Sequence, residues 1–394
     1  MQTDPDHIEG ISIPEDGFSF SPPLYAFHLT GGLQLLIGDN RLAILLSPAG
    51  PRTMIFFSPL PGSSVARLLD EQEGVRQIGR NYFAQACELE ESVTANFFIN
   101  AVSETNGCLA EHQFHKWDGI ANALRSDGRT SDILFASRVA AQIRICRFRL
   151  ERLSVAYRTV LINAGGLASS QTNVRFRADK FAQYIGSEFR SILNEMYGLR
   201  DALLSAAHRL MFRRDDPFTI KKIKALCSIG DTEASRLIFD SMFADEPIGI
   251  IYKMSLYRIV ALHCTGSTNP ILGDLYQVRI SRGPLGELPF LVYPLYDDIQ
   301  TMRAIERGST IERSNQEEAK RFLGLTSHQD GLEFALDSFV CLLRIAELVS
   351  NAIGVVSIPF KITDNEIIEA TFTDSNGSIT RIRRNSESGK LEEY

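Results

Sequence analysis

Apolar residues change their spacing several times along this chain, and the changes mark out its elements. Between residues 24 and 62, "LYAFHLTGGLQLLIGDNRLAILLSPAGPRTMIFFSPLPG" breaks short apolar runs with Gly-Gly, Gly-Asp-Asn and Pro-Ala-Gly-Pro, the punctuation of two or three antiparallel strands. From Ser63 to about residue 104 the pattern turns helical. Leu68, Leu69, Ile78, Phe83, Cys87, Phe97 and Phe98 stand among many charges and predict two or more helices.

The middle of the chain is the most periodic. Val139, Ile143, Cys146, Leu150, Leu153, Tyr157, Val160 and Leu161 recur at spacings of three and four, one apolar stripe on a long helix. After "NAGGLASSQTN", Phe181, Ile185, Ile192, Met196, Leu199, Leu203, Ala207 and Leu210 continue in similar register, predicting a second helix over about 175–211. Shorter helices follow. Pro217 in "DDPF" opens one, Asp231 in "GDTE" caps another, and Pro247 starts a third. Together these predict a bundle of four or five helices.

Beyond residue 271, "DLYQVRIS" and "PFLVYPLYDD" read as strands joined by a Gly-Pro turn, and a charged linker spans 303–321. "DGLEFALDSFVCLLRIAELVSNAIG" is an amphipathic helix with Leu332, Phe339, Leu342, Leu343 and Ala346 on its apolar side. The C-terminus reads as a meander of three short strands turned at Asp364-Asn365 and Asn376-Gly377. The fold class expected is therefore α+β. It divides into an N-terminal β-plus-helix part (1–137), a helical domain (138–355) with a β-hairpin insertion near 272–300, and a C-terminal β meander (356–394).

Charge adds a second layer. The chain carries a formal net charge of -7, yet residues 138–225 hold 17 Lys+Arg against 7 Asp+Glu, a local +10 that leaves -17 elsewhere. A basic block in an acidic protein suits a phosphate-bearing partner, and it equally suits a well-solvated helical face. Arg144, Arg149, Arg152 and Arg158 lie largely outside the apolar stripe of their helix, which makes them the candidate contacts for such a phosphate-bearing partner. The six cysteines form no CxxC pair and read as buried thiols in a reducing compartment. The acidic start "MQTDPDHIEG" lacks the features of a signal peptide, and no apolar run approaches the roughly 20 residues that span a bilayer. A cytoplasmic protein without membrane contact is expected.

The chemistry concentrates in "LYRIVALHCTGSTNP", where Arg258 and His263 stand five apart at the end of an apolar helix. An arginine and a histidine near a helix C-terminus complement its partial negative charge and need do nothing more. Placed late in a helical bundle, after two long amphipathic helices, the Arg-x4-His element also resembles the HEPN (higher eukaryotes and prokaryotes nucleotide-binding) superfamily. The resemblance covers about 138–265, or to 354 with the last long helix. The ribonuclease members carry an arginine followed four to six residues later by histidine, often with asparagine directly after the arginine. Here Ile259 takes that place.

The resemblance implies metal-independent RNA cleavage by the ribose 2'-hydroxyl, a homodimer that brings two motifs together, no cofactor, and a toxin or defence setting with an inhibitory partner protein. His263 would move protons and Arg258 would hold the phosphate. On one ideal helix the two side chains point about 140° apart, so they converge only where the helix unwinds near Leu262 or a second subunit completes the site. The alternative is a non-catalytic module for dimerisation or partner binding.

Other candidates are weaker. Arg200 and His208 in "RDALLSAAH" are eight apart, which suggests a surface or capping role for His208. Cys108, His112 and His115, with Glu111 beside them, have metal-ligand separations but no clear fourth ligand. Asp298, Glu318 and Lys320 loosely match a carboxylate nuclease, with Glu318 in a charged helix start rather than on a strand. No Walker loop, GxGxxG, HExxH or GxSxG element occurs.

Overall fold

A computed structural model describes residues 24–38, 42–46, 54–57, 75–83, 109–164, 176–177, 180–245, 247–263, 276–283, 286–295, 303, 329–354, 370–373, 379–384 and 391–393. The described residues are mostly helical with small antiparallel sheets, an α+β chain. It separates into two compact units, residues 1–355 and 356–394.

The first unit opens with a five-stranded antiparallel sheet: β1 (Leu24–Leu29), β2 (Gln34–Gly38), β3 (Leu42–Leu46), β4 (Met54–Phe57) and β5 (Gln77–Phe83), in the order β4-β3-β2-β1-β5. The fifth strand departs from the helix expected around Ile78 and Phe83. Its backbone pairs with β1, from Leu24 opposite Phe83 to Leu29 opposite Gln77, and this non-local pairing outweighs the local spacing. The other residues of that expected helical stretch, 63–74 and 84–104, lie outside the described residues.

Gly31 and Gly32 turn β1 into β2 with φ of 70° and 82°, values that favour glycine. Their loop sits directly on a helix: a Cβ on Gly32 would lie 3.0 Å from the backbone of Tyr157 and Arg158. Arg76, just before β5, fixes the same end of the sheet. Its amide donates to Thr30 Oγ1, its carbonyl accepts from the Thr30 amide, and its guanidinium pairs with Asp337 at 2.7 Å.

The helices are α1 (Leu109–Ser126), α2 (Thr130–Ala164), α3 (Lys180–Ala206), α4 (Ile220–Ile229), α5 (Glu233–Met242), α6 (Ile250–His263) and α7 (Gly331–Ile353). Gly128 (φ 71°) closes α1. Its amide donates to Arg125 O and the Arg129 amide to Leu124 O, which satisfies carbonyls the helix end would strand. The expected boundary at 137/138 falls inside α2, which runs unbroken from Thr130.

Every residue of the expected stripe from Val139 to Leu161 is buried, and so are Ile185, Ile192, Met196, Leu199 and Leu203 of α3. Gly198 leaves room for Gln142, whose Nε2 donates to Glu195 O (3.0 Å) and Oε2 (2.8 Å). Trp117 of α1 is fully buried and donates to Ala346 O of α7.

Helix starts differ in detail from the sequence reading. Thr219 and Thr232 cap α4 and α5, accepting from Lys222 N and Ser235 N, so Pro217 and Asp231 lie outside the caps. Pro247 precedes the start of α6 at Ile250. At α4 and α5 a threonine hydroxyl, two residues after Pro217 and one after Asp231, takes the orphan amide.

Strand β6 (Phe176–Arg177) pairs with β7 (Tyr276–Gly283), which pairs with β8 (Gly286–Val292), the expected hairpin. β9 (Pro294–Leu295) and β10 (Gln329–Asp330) form a two-residue ladder that delivers Asp330 to the start of α7. There Asp330 Oδ2 accepts from Leu332 N and Glu333 N, while Oδ1 accepts from Tyr157 Oη (2.8 Å) and Tyr293 N (2.8 Å). Gly354 (φ 69°) ends α7.

The second unit holds an antiparallel meander of β11 (Ala370–Thr373), β12 (Ile379–Arg384) and β13 (Leu391–Glu393). Asn376-Gly377 falls between its first two strands. Asp364-Asn365 lies outside the described residues. No helix among the described residues is long and apolar enough to cross a membrane.

Candidate functional site

Helices α3 and α6 meet along a polar seam. On α3, Asn194, Tyr197, Arg200 and Asp201 recur at helical spacing. On α6, Ile251, Ser255 and Arg258 do the same, so each set occupies one face. Arg258 Nε donates to Asn194 Oδ1 at 3.1 Å, and its guanidinium carbon lies 4.0 Å from the Tyr197 ring centroid. Arg200 lies 3.7 Å from the same centroid, pairs with Asp201 at 2.7 Å and donates to Ser255 Oγ, whose hydroxyl in turn donates to Ile251 O.

The two arginines differ in charge balance. Asp201 neutralises Arg200, while among the described residues no carboxylate pairs with Arg258. A half-exposed guanidinium that is oriented yet uncompensated can take an oxyanion in a bidentate grip.

His263 is the last residue of α6, and its side chain lies outside the described residues. The helix continues regularly to that residue, so the unwinding near Leu262 that would turn His263 towards Arg258 does not occur. Within one chain the two positions remain about 140° apart around the axis. Tyr257, next to Arg258, is fully buried edge-on against Phe334.

The α2 arginines do not form one open face. Arg144 is exposed, its guanidinium 4.8 Å from the Phe114 ring centroid. Arg152 pairs with Glu188 at 3.6 Å. Arg149 has a buried Nε with no acceptor among the described residues, and its guanidinium lies 5.8 Å from the Phe148 ring centroid. Arg158 is turned into the fold beneath the Gly31-Gly32 turn, with a buried, unaccepted Nε, and burial lowers its pKa to about 10. It neighbours His28, whose pKa burial and then the Arg158 charge push down to about 3.

No protein-family model, curated protein or solved structure matches this chain. What the site can do rests on its geometry.

His208 departs from the surface or capping role expected of it. It is 3% exposed, four residues after the buried Leu204 and within a π-helical turn, Ala207–Met211, that follows α3. There it packs edge-on to Phe218, with Nε2 3.7 Å from Asp216 Oδ1. Burial lowers its pKa, opposed by Asp216. Next to it, Arg209 and Arg129 both bind the buried Asp132. Burial alone would raise Asp132, but hydrogen bonds from Arg209 and Arg129 outweigh it and hold the carboxyl below its usual range.

Of the metal candidates, His115 pairs with Glu111 at 3.1 Å, Glu111 also binds Arg147, and Cys108 lies outside the described residues. No metal-binding cluster occurs among the described residues. Asp298, Glu318 and Lys320 lie outside them too.

Asn194 and Tyr197 were not singled out from the sequence, and Arg200 was considered only beside His208. Their signal was present: polar and aromatic residues at three-residue spacing on the flank of a strongly apolar helix.

Proposed function

We propose that this protein binds RNA and cleaves it without a metal, Arg258 gripping a phosphate and His263 moving protons. The observation that carries this reading is the Arg258 guanidinium, aligned by Asn194 and Tyr197 and paired with no carboxylate among the described residues. In the reaction the ribose 2'-oxygen bonds to phosphorus and loses its proton, while the bond to the 5'-oxygen breaks and that oxygen gains one. Imidazole, with an ordinary pKa of about 6.5, can serve either transfer. A fixed guanidinium stabilises the charge that builds on the phosphate. Since Arg258 and His263 diverge on one helix, a second copy completes the pair.

Labelled tRNA and mixed RNA incubated in excess EDTA with wild type, Arg258→Ala and His263→Ala test this. Cleavage by wild type alone is expected. Intact RNA with wild type, or cleavage that needs added magnesium, overturns metal-independent catalysis.

A second reading, a non-catalytic interaction module, is favoured by a different observation. Leu134 and Phe148 are 74% and 53% exposed on the outer side of α2, more apolar surface than a solvated helix face needs.

A further inference from the structure

Helix α2 has two seams. The inner one is the buried stripe from Val139 to Leu161. Around the helix from it run Leu134, Arg138, Ala141, Ile145, Phe148 and Arg152, at spacings of four, three, four, three and four. At about 100° per residue all six fall within about 40° of the Leu134 direction. Leu134, Ile145 and Phe148 are 74%, 40% and 53% exposed, and Arg138 and Ala141 are exposed as well. A three-four repeat of this kind is the spacing by which one helix inserts side chains into another. Among the described residues nothing buries the apolar side chains of this one, Leu134, Ile145 and Phe148.

The order of residues says what fits. We infer that the outer seam of α2 pairs antiparallel with the same seam of a second copy, about a two-fold axis at Ile143. In that register Leu134 meets Arg152 of the other copy, Arg138 meets Phe148, and Ala141 meets Ile145. Every layer is complementary: small against large at the centre, an arginine stem along a leucine at each end, and a guanidinium against an aromatic ring between. No arginine of the seam faces its own counterpart, and Glu188 already balances Arg152 at 3.6 Å. A parallel pairing would set Arg138 on Arg138 and Arg152 on Arg152. An unlike partner would have no reason to match a sequence that is complementary to itself when reversed, the mark of an isologous interface.

The remaining positive charge beside the seam, on Arg144 and Arg149, repels across the axis, so salt strengthens this association. RNA binding responds in the opposite sense. The inference holds whether or not the protein cleaves RNA.

Sedimentation equilibrium of the full chain over a wide concentration range is expected to show a species of twice 44.0 kDa. Ile145→Glu is expected to move the monomer–dimer midpoint at least roughly tenfold higher, with circular dichroism unchanged because the position is already exposed. Orientation is tested by Leu134→Cys with Arg152→Cys. Within one chain these positions lie about 27 Å apart, too far for a disulfide, so oxidation of the double variant gives a covalent dimer only between copies. Leu134→Cys alone stays at the wild-type background.

A monomer at all concentrations overturns the inference and leaves the seam to an unlike protein. A dimer indifferent to Ile145→Glu, or a covalent dimer from Leu134→Cys alone, overturns it too. The RNA assay is read separately: loss of cleavage leaves this inference standing, whereas a monomer at all concentrations would also remove the second copy that the proposed cleavage site needs.

Discussion

The guanidinium of Arg258 rests 4.0 Å from the ring centroid of Tyr197, one helix's charge laid on another helix's aromatic face. Such a contact is worth about 0.5–2 kcal/mol and keeps a long side chain from sweeping through its rotamers. Tyr197→Ala is therefore expected to weaken RNA binding by roughly threefold to thirtyfold, with a smaller effect on melting temperature because the ring is only half-buried. Tyr197→Phe keeps the ring and should behave as wild type. Arg258→Lys keeps the charge but not the planar fork, and is expected to bind nearly as poorly as Arg258→Ala. Equal binding by wild type and Arg258→Ala in a filter or fluorescence titration would remove Arg258 from the RNA site.

Asp330 ties three segments together, since Tyr157 of α2, Tyr293 beside β8 and the first amides of α7 all donate to its carboxylate. Asp330→Ala removes the acceptor that these donors share and is expected to cost about 3 kcal/mol or more in denaturant unfolding. Burial, then the nearby Glu333 charge, raises the Asp330 pKa to about 7 against the pull of its donors. The folded state then holds a proton that the unfolded chain gives up near 3.8. The contribution of this group to stability is full below that value, falls as pH rises towards about 7, and is level above it. Wild type measured against Asp330→Asn at several values between pH 4 and 8 should show that decline. A flat difference would mean that the four donors keep the group ionised throughout.

His28 has the opposite slope. It is 6% exposed beneath the β1 turn, and burial together with Arg158 lowers its pKa to about 3. The unfolded chain takes up a proton near 6.5 that the folded chain refuses, so stability is lost as pH falls from about 6.5 towards 3. His28→Gln, which cannot charge, is expected to lose less stability than wild type between pH 6.5 and pH 4. Parallel pH profiles for the two proteins would show that His28 gains its proton without unfolding.

These buried groups mark the limit of what the sequence discloses. The stripes of α2, α3 and α7 were legible because a three-four repeat of Val, Ile and Leu admits one buried face, and the β7–β8 hairpin was legible from its alternation and turn. The charge relations were not. Arg158 reads like any helical arginine until the Gly31-Gly32 turn, more than a hundred residues away in sequence, settles over it. His208 reads as exposed until Asp216 and Phe218, from the segment after α3, come to lie against its ring. Tyr197 joins the site only because α6 crosses α3 there. The outer seam of α2 was in the sequence as a spacing, but the richer inner stripe of the same helix masked it. It becomes visible once the inner residues are assigned to the core.

Gly32 offers a direct test of how firmly the N-terminal sheet is seated on α2. Its φ of 82° is unfavourable for any side chain, and a Cβ would press at 3.0 Å on the backbone of Tyr157 and Arg158, which cannot swing away as a side chain could. Gly32→Ala is expected to destabilise the protein by about 2 kcal/mol or more, seen as a lower midpoint in chemical denaturation. Because the strain falls where the sheet touches the helix, faster amide exchange is expected at Thr30 and Arg76, whose mutual hydrogen bonds hold that end of the sheet. Exchange at Trp117 Nε1, buried between α1 and α7 where it donates to Ala346 O, should stay slow. If Trp117 quickens as much as Thr30, the sheet and helices open as one cooperative unit, and the turn is a fastener of the whole first unit rather than of its edge.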